Sequence, residues 1–201
     1  GREPAPDVLL GAGYARGVPG QPLAAASITN RLQAIAALPL LNAADFETGV
    51  GFRIGGATTF PRAMAFGAAD DEGLAFEAGR ITAVEARALG IHVNFAPVAD
   101  VNNNPRNPVI NTRSFGEDPV MVARLAAAYV RGLTAGGMVA TVKHFPGHGD
   151  TDVDSHLGLP LIAHPRERLD RVELPPFRAG IDAGAGAVMT SRIVLPGLEP
   201  D

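Results

Sequence analysis

Lys143-His144-Phe145-Pro146-Gly147-His148-Gly149-Asp150-Thr151-Asp152-Val153-Asp154-Ser155-His156 follows directly on the apolar run Met138 to Val142. An apolar run of strand length that turns abruptly to Pro, Gly and polar residues reads as a buried strand followed by a loop. Lys143 and His144 then stand at the strand's C-terminal end, and the other ionisable groups ride on the loop. Three of the chain's five histidines and three aspartates fall in this one stretch, so it is the first place to look for chemistry.

Working outward, the neighbours of this strand are helices. Upstream, Asp118 as N-cap and Pro119 in the first helical position open a helix that runs to about Ala135 and stops at Gly136-Gly137. Before it come a strand at Ile91 to Ala96, the segment Pro97-Val98-Ala99-Asp100, and a loop rich in Asn and Pro through Arg113. A helix from about Asp71 to Leu89 presents Leu74, Ala78, Ile81, Ala83, Val84 and Ala88 as its apolar face, with Gly90 as the stop. Further back lie a strand candidate at Pro39 to Ala44 ending on Asp45 and Glu47, and a long glycine-rich loop containing Arg53. The first elements are a strand at Val8 to Leu10 and a helix at about Leu23 to Ala37. Downstream, a helical stretch between Pro165 and Ala183 is interrupted by Pro175-Pro176, and Ala187 to Thr190 is a last strand.

Strands alternating with helices imply right-handed βαβ units around a parallel sheet, either open and doubly wound or closed as a (β/α)8 barrel. In both, function sits at the C-terminal strand ends. Asp45, Asp100, Lys143-His144 and Ser191-Arg192 all follow strands, which favours a barrel with its site on that rim. About five strand–helix units do not close a barrel of eight, so the expectation is an α/β, TIM-type barrel present in part, with residues 1–201 as one partial barrel domain.

Composition narrows the classes. With 201 residues and 46% hydrophobic content the chain can bury one sizeable core. Mean hydropathy is +0.12, and no apolar run approaches the roughly 18 residues of a membrane span. The net charge of -4 and the absence of a basic stripe argue against nucleic acid. Cysteine is absent, which removes disulfides and thiolate metal sites. Gly1 to Asp7 lack the basic and apolar regions of a signal peptide, so a cytoplasmic location is favoured while periplasmic or secreted ones stay open. Nothing in the sequence sets an oligomeric state.

Two chemistries suit the focal loop. His144, His148 and His156 with three aspartates could ligate zinc or manganese. However, Pro146 and Gly147 prevent the helix on which paired histidine ligands usually sit, so the expectation is no metal and no cofactor. Alternatively Asp154 and His156, flanking Ser155, form a carboxylate–imidazole pair suited to general acid/base work. Lys143 and His144 could hold ligand hydroxyls, or Lys143 could pair with Asp45 or Asp100. Arg113 fits a ligand clamp or a loop-stapling ion pair. Ser191 lacks a nucleophile elbow, and Gly11-x-Gly13 lacks the third glycine of a dinucleotide fingerprint.

The run Lys143 to His156 resembles the KHFPGHG…DSH signature of family 3 glycoside hydrolases, in the branch of bacterial β-N-acetylglucosaminidases. Two further stretches resemble the same branch. One is Phe95 to Val101 with Asn104-Pro105-Arg106-Asn107-Pro108-Val109-Ile110 and Arg113-Ser114-Phe115-Gly116. The other is Ala44-Asp45-Phe46-Glu47-Thr48-Gly49 with Arg53 beyond it, where Thr48 replaces a usual glycine.

The resemblance implies a (β/α)8 barrel and retaining hydrolysis of terminal β-linked N-acetylglucosamine, typically from peptidoglycan fragments. It implies that Asp45, Arg53, Arg113, Lys143 and His144 bind the sugar, that His156 is the acid/base, and that Asp154 pairs with it. The family's aspartate nucleophile falls beyond residue 201 by the same matching, so residues 1–201 alone are expected to be inactive. Ser191-Arg192 departs from the histidine usual after this strand. A β-glucosidase or β-xylosidase of the family, a sugar-binding module and a metal-dependent hydrolase are the alternatives.

Overall fold

The computed structural model describes residues 22–152 and 158–197. The strand expected at Val8 to Leu10 lies outside them. Ten elements follow in order: α1 (Pro22–Ile35), β1 (Ala43–Ala44), α2 (Ala63–Ala69), α3 (Glu72–Ala88), β2 (Val93–Asn94), α4 (Pro119–Ala135), β3 (Val139–Phe145), α5 (Arg166–Arg171), α6 (Pro175–Asp182) and β4 (Ala187–Thr190). The four strands form one parallel sheet in the order β1-β2-β3-β4, with Val93 opposite both Ala43 and Val139, and Thr141 opposite Ala187. A doubly wound sheet reverses its strand order at a switch point, whereas a barrel adds strands in sequence. The order here is that of a (β/α)8 barrel, present in part.

Helix boundaries follow local chemistry. The Asp71 carboxylate caps α3 by accepting from Gly73 N at 2.7 Å, and Asp118 caps α4 by accepting from Val120 N at 3.1 Å ahead of Pro119. Pro175-Pro176 does interrupt the expected helical stretch, because a proline that ends one helix can open the next. The stretch is divided into α5 and α6.

The packed face of α3 differs from the expected one. Leu74 and Val84 are exposed, and the buried side of α3 is Ala75, Ala78, Gly79, Thr82, Ala83 and Ala86. These small residues let α3 approach α4 until backbones nearly touch. A Cβ on Gly79 would lie 2.4 Å from Tyr129 O, and one on Gly132 would lie 2.0 Å from Phe76 O. Strands β1 and β2 are shorter than expected, with two residues each, and α2 occupies part of what reads as loop. The core joins the buried side of α4 to Phe46, Val142 and Phe177. No helix among the described residues is long and apolar enough to cross a membrane.

Candidate active site

The C-terminal strand ends meet as expected. After β1, side chains alternate around Phe46, which is wholly buried and whose N–H donates to Asn94 Oδ1 at 2.9 Å. Alternation sends Asp45 and Glu47 to the opposite side, into the cleft. After β3 the ladder slips between Lys143 and Phe145, and both Lys143 and His144 line the same cleft.

Lys143 is nearly inaccessible, with a side chain 3% exposed, and it is closely paired: Nζ donates to Asp45 Oδ1 at 2.7 Å and lies 2.8 Å from Glu47 Oε1. A buried ammonium is tolerable only when so paired. Two of its three N–H bonds are spent on carboxylates, which leaves one for a ligand oxygen. The ion-pair reading of Lys143 holds, with Asp45 and Glu47 as its partners rather than Asp100.

Arg113 grips Glu47 in a two-pronged ion pair, Nε to Oε2 at 3.0 Å and Nη2 to Oε1 at 2.7 Å, and Nη1 donates to Val109 O at 3.2 Å. Burial pushes the Glu47 carboxyl upward, but Arg113 and Lys143 together outweigh it and hold the group at about 2. Burial likewise lowers the Arg113 pKa, and Glu47 more than reverses this, leaving it raised. Arg113 is thus an ion pair that shapes the cleft as well as one of its walls. Arg53 stands 3.7 Å from Asp45 Oδ2 and stacks on Phe52, its guanidinium carbon 4.2 Å from the ring centre.

His144 sits between an obligate donor and an obligate acceptor. Its Nδ1 is 2.7 Å from Asp100 Oδ2, and its Nε2 is 3.3 Å from Arg113 Nη2. A guanidinium only donates and a carboxylate only accepts, so this geometry directs the Nδ1–H toward Asp100. Asp100 is completely buried, which opposes its ionisation. Its electrostatic attraction to His144, the bond to that ring and the bonds from the backbone N–H groups of His148 and His144 prevail, and its pKa is lowered. The His148 N–H lies 2.7 Å from Asp100 Oδ1.

Asn107 joins the two loops of the rim. Its Oδ1 accepts from Val109 N at 2.9 Å and Ile110 N at 2.7 Å, and its Nδ2 donates to His148 O at 2.7 Å and Gly149 O at 3.1 Å. Gly149 is pressed flat against the neighbouring loop, since a Cβ there would meet Val101 O at 1.8 Å. Glu47, Asp100 and Asn107 were not among the expected site residues. Glu47 and Asp100 are nevertheless marked by their places just after strands, and Asn107 by its place in an Asn- and Pro-rich loop.

The five expected sugar-contacting residues, Asp45, Arg53, Arg113, Lys143 and His144, all line one cleft of about 570 Å³. Asp154 and His156, the expected proton-transfer pair, lie outside the described residues. Of the histidines in the metal reading, His156 lies outside the described residues, and the rings of His144 and His148 meet edge to face with centres 6.2 Å apart, His148 Nδ1 lying 2.6 Å from Thr151 Oγ1. Elsewhere Asp150, His164 and Glu173 bring potential ligand atoms within 4.8 Å of one another. There Arg168 already supplies the positive charge, at 3.1 Å from Glu173 Oε1 and 3.7 Å from Asp150 Oδ2.

Comparison with known proteins agrees with this architecture. Residues 8–201 match the model of the glycosyl hydrolase family 3 N terminal domain. The chain is 44% identical over 184 residues to beta-hexosaminidase A of Pseudoalteromonas piscicida, covering 86% of this chain and 31% of that protein. It superimposes with a TM-score of 0.89 and 51% identity on a family 3 beta-N-acetylglucosaminidase from Paenibacillus sp. str. FPU-7, covering 94% of this chain and 37% of that one. NagZ of Neisseria gonorrhoeae aligns with a TM-score of 0.82 and 37% identity, over 89% of this chain and 54% of that one. The chain thus spans from about a third to about half the length of these relatives. On the family match and the parallel barrel rim together, the chain belongs to glycosyl hydrolase family 3, within the family's N-terminal domain.

Proposed function

We propose that residues 1–201 are part of the barrel domain of a retaining glycoside hydrolase that releases terminal β-linked N-acetylglucosamine, with peptidoglycan fragments as the expected source. What carries this reading is the convergence of Asp45, Arg53, Arg113, Lys143 and His144 on one cleft within a chain of this family. A saccharide presents neighbouring hydroxyls, each both donor and acceptor. The cleft answers with acceptors from Asp45, the remaining N–H of Lys143 and the guanidinium of Arg53, all held in place by ion pairs before the ligand arrives.

In this proposal His156 protonates the departing glycosidic oxygen and then deprotonates the attacking water, and Asp154 orients its ring. The opposite face of the sugar needs a carboxylate nucleophile. By resemblance that aspartate belongs to a strand beyond residue 201. The test is hydrolysis of aryl β-N-acetylglucosaminide by the full-length polypeptide. His156→Ala is expected to lower kcat by roughly a hundred-fold or more, the scale of a lost general acid/base. Unchanged turnover would remove His156 from that role, and faster cleavage of the matching aryl β-glucoside would place the protein in another branch of the family.

A further inference from the structure

Asn107 is buried and takes no part in lining the cleft. Its Oδ1 accepts from the N–H groups of Val109 and Ile110 in its own loop. Its Nδ2 donates to the carbonyls of His148 and Gly149 in the loop after β3, with Thr151 Oγ1 as a longer contact at 3.4 Å. Two donors on one side and two carbonyls on the other admit the amide in this orientation alone.

Followed link by link, these bonds close a circuit that passes through the cleft wall. Val109, held by Asn107, offers its carbonyl to Arg113 Nη1 at 3.2 Å. Arg113 Nη2 lies 3.3 Å from His144 Nε2, and His144 Nδ1 lies 2.7 Å from Asp100 Oδ2. The other Asp100 oxygen accepts the His148 N–H at 2.7 Å, and the His148 carbonyl returns to Asn107 Nδ2 at 2.7 Å. Residue 148 is therefore held by its N–H and its carbonyl at once. Among the described residues no backbone–backbone bond joins residues 101–113 to residues 144–152, so side chains make the hydrogen bonds between the two loops.

We propose that Asn107 is a positioning residue for saccharide binding, which fixes His144 and Arg113 by closing this circuit. The inference rests on the saccharide reading above, in which those two side chains meet the ligand, and it adds the buried group that sets their places. In a closed circuit each bond limits the freedom of the next. Opening it at one point loosens every member, and opening it at a second point costs little more. The close approach of Gly149 to the Val101 backbone keeps the loops in touch without the amide, but such contact has no direction. Orientation at His144, rather than contact between the loops, is what depends on Asn107.

The test uses the full-length polypeptide and two measurements. The first reads the ring-nitrogen NMR shifts of His144 without ligand. Asn107→Ala should move them, because Arg113 on one side of the ring and Asp100 on the other both belong to the opened circuit. The second is a calorimetric titration with N-acetylglucosamine. Asn107→Ala and Asp100→Asn should each weaken binding roughly ten-fold, and the double variant also roughly ten-fold rather than the roughly hundred-fold of independent losses. Asn107→Asp keeps the size and the two accepted bonds and loses both N–H groups. It should reproduce the effects of Asn107→Ala, and it carries the test if that variant does not fold. Unmoved His144 shifts in a folded variant, or losses that multiply to about a hundred-fold, overturn the proposal and leave Asn107 a staple between loops. If the wild type does not bind N-acetylglucosamine, the saccharide reading fails and takes the ligand role with it, while displaced ring shifts would still show Asn107 setting the place of His144.

Discussion

Glu47 and Arg113 face each other across the cleft wall in a two-pronged ion pair, Nε to Oε2 at 3.0 Å and Nη2 to Oε1 at 2.7 Å. Residues 66 positions apart in sequence are thereby fixed to one another, and the same Glu47 carboxylate steadies Lys143 at 2.8 Å. The pair makes stability depend on acid in a definite window. Glu47 titrates at about 2 in the folded protein against an ordinary value of 4.5. A carboxylate with a lowered pKa contributes stability that is complete above 4.5 and is lost as the pH falls through 4.5 toward 2. The gap is worth about 3 kcal/mol. Denaturant unfolding followed across this range should show that loss. Glu47→Gln should be less stable than wild type at neutral pH and should lack this part of the acid dependence. Parallel curves for the two proteins would remove Glu47 from the account.

Asp100 and His144 make a second prediction. His144 Nδ1 lies 2.7 Å from Asp100, whose carboxylate can accept its N–H and also accepts the His148 N–H at the same distance. Asp100→Asn keeps the size and removes one acceptor, so either the ring or a backbone N–H loses its partner. Ring-nitrogen NMR shifts should report the Nδ1–H form in wild type and a changed or mixed tautomer in the variant. Saccharide affinity should fall with it, by roughly ten-fold for a lost charge-assisted hydrogen bond network. An unaltered tautomer in the variant would show that Arg113 alone sets it.

Much of the rim was legible because strand ends carry a readable signal: an apolar run that stops on a charged residue, as at Asp45, Lys143 and Arg192. Helix starts with a capping aspartate, Asp71 and Asp118, were equally open to reading. The packed face of α3 was not. Where helices approach closely the buried residues are Ala, Gly and Thr, and a hydrophobic pattern gives weight instead to Leu74 and Val84, which face water. Helix α2 escaped because its N-cap Arg62 makes no side-chain capping bond, so no start signal exists. Asp100 and Asn107 act through partners 44 and 41 residues away, a separation that local spacing does not reveal.

The α3–α4 crossing sets two known effects against each other. Gly132→Ala gains about 1 kcal/mol of helix propensity. Against this, the new Cβ would lie 2.0 Å from Phe76 O and 2.9 Å from Arg80 N, both backbone atoms that cannot swing aside. Overpacking costs roughly 1–3 kcal/mol when side chains can adjust, and more when backbones must separate. The clash is expected to win, with a net loss of about 2 kcal/mol or more in chemical denaturation. Gly137→Ala is a poor control because its φ of 80° strains an alanine, whereas Gly73→Ala, facing only its own capping aspartate at 3.1 Å, should cost less. A stabilised Gly132→Ala would mean that the two helices are free to move apart.

Lys143→Met tests whether the buried ammonium serves the carboxylates or the carboxylates serve it. Methionine fills a similar volume but leaves Asp45 and Glu47 without the charge that lay 2.7 Å and 2.8 Å away. Glu47 then keeps Arg113 alone against the burial that opposes its ionisation, so its pKa should rise from about 2. The sign follows directly: with a smaller depression, the acid-induced loss of stability narrows and starts from a lower plateau at neutral pH. Breaking one side of a buried ion pair typically costs about 3–5 kcal/mol. Arg53, at 3.7 Å from Asp45, offsets part of this, so a loss toward the lower end is expected. Denaturant titrations at neutral pH and near pH 3 distinguish the cases. A variant as stable as wild type at both, but unable to bind saccharide, would show that Lys143 is kept for the ligand and contributes nothing to holding the rim together.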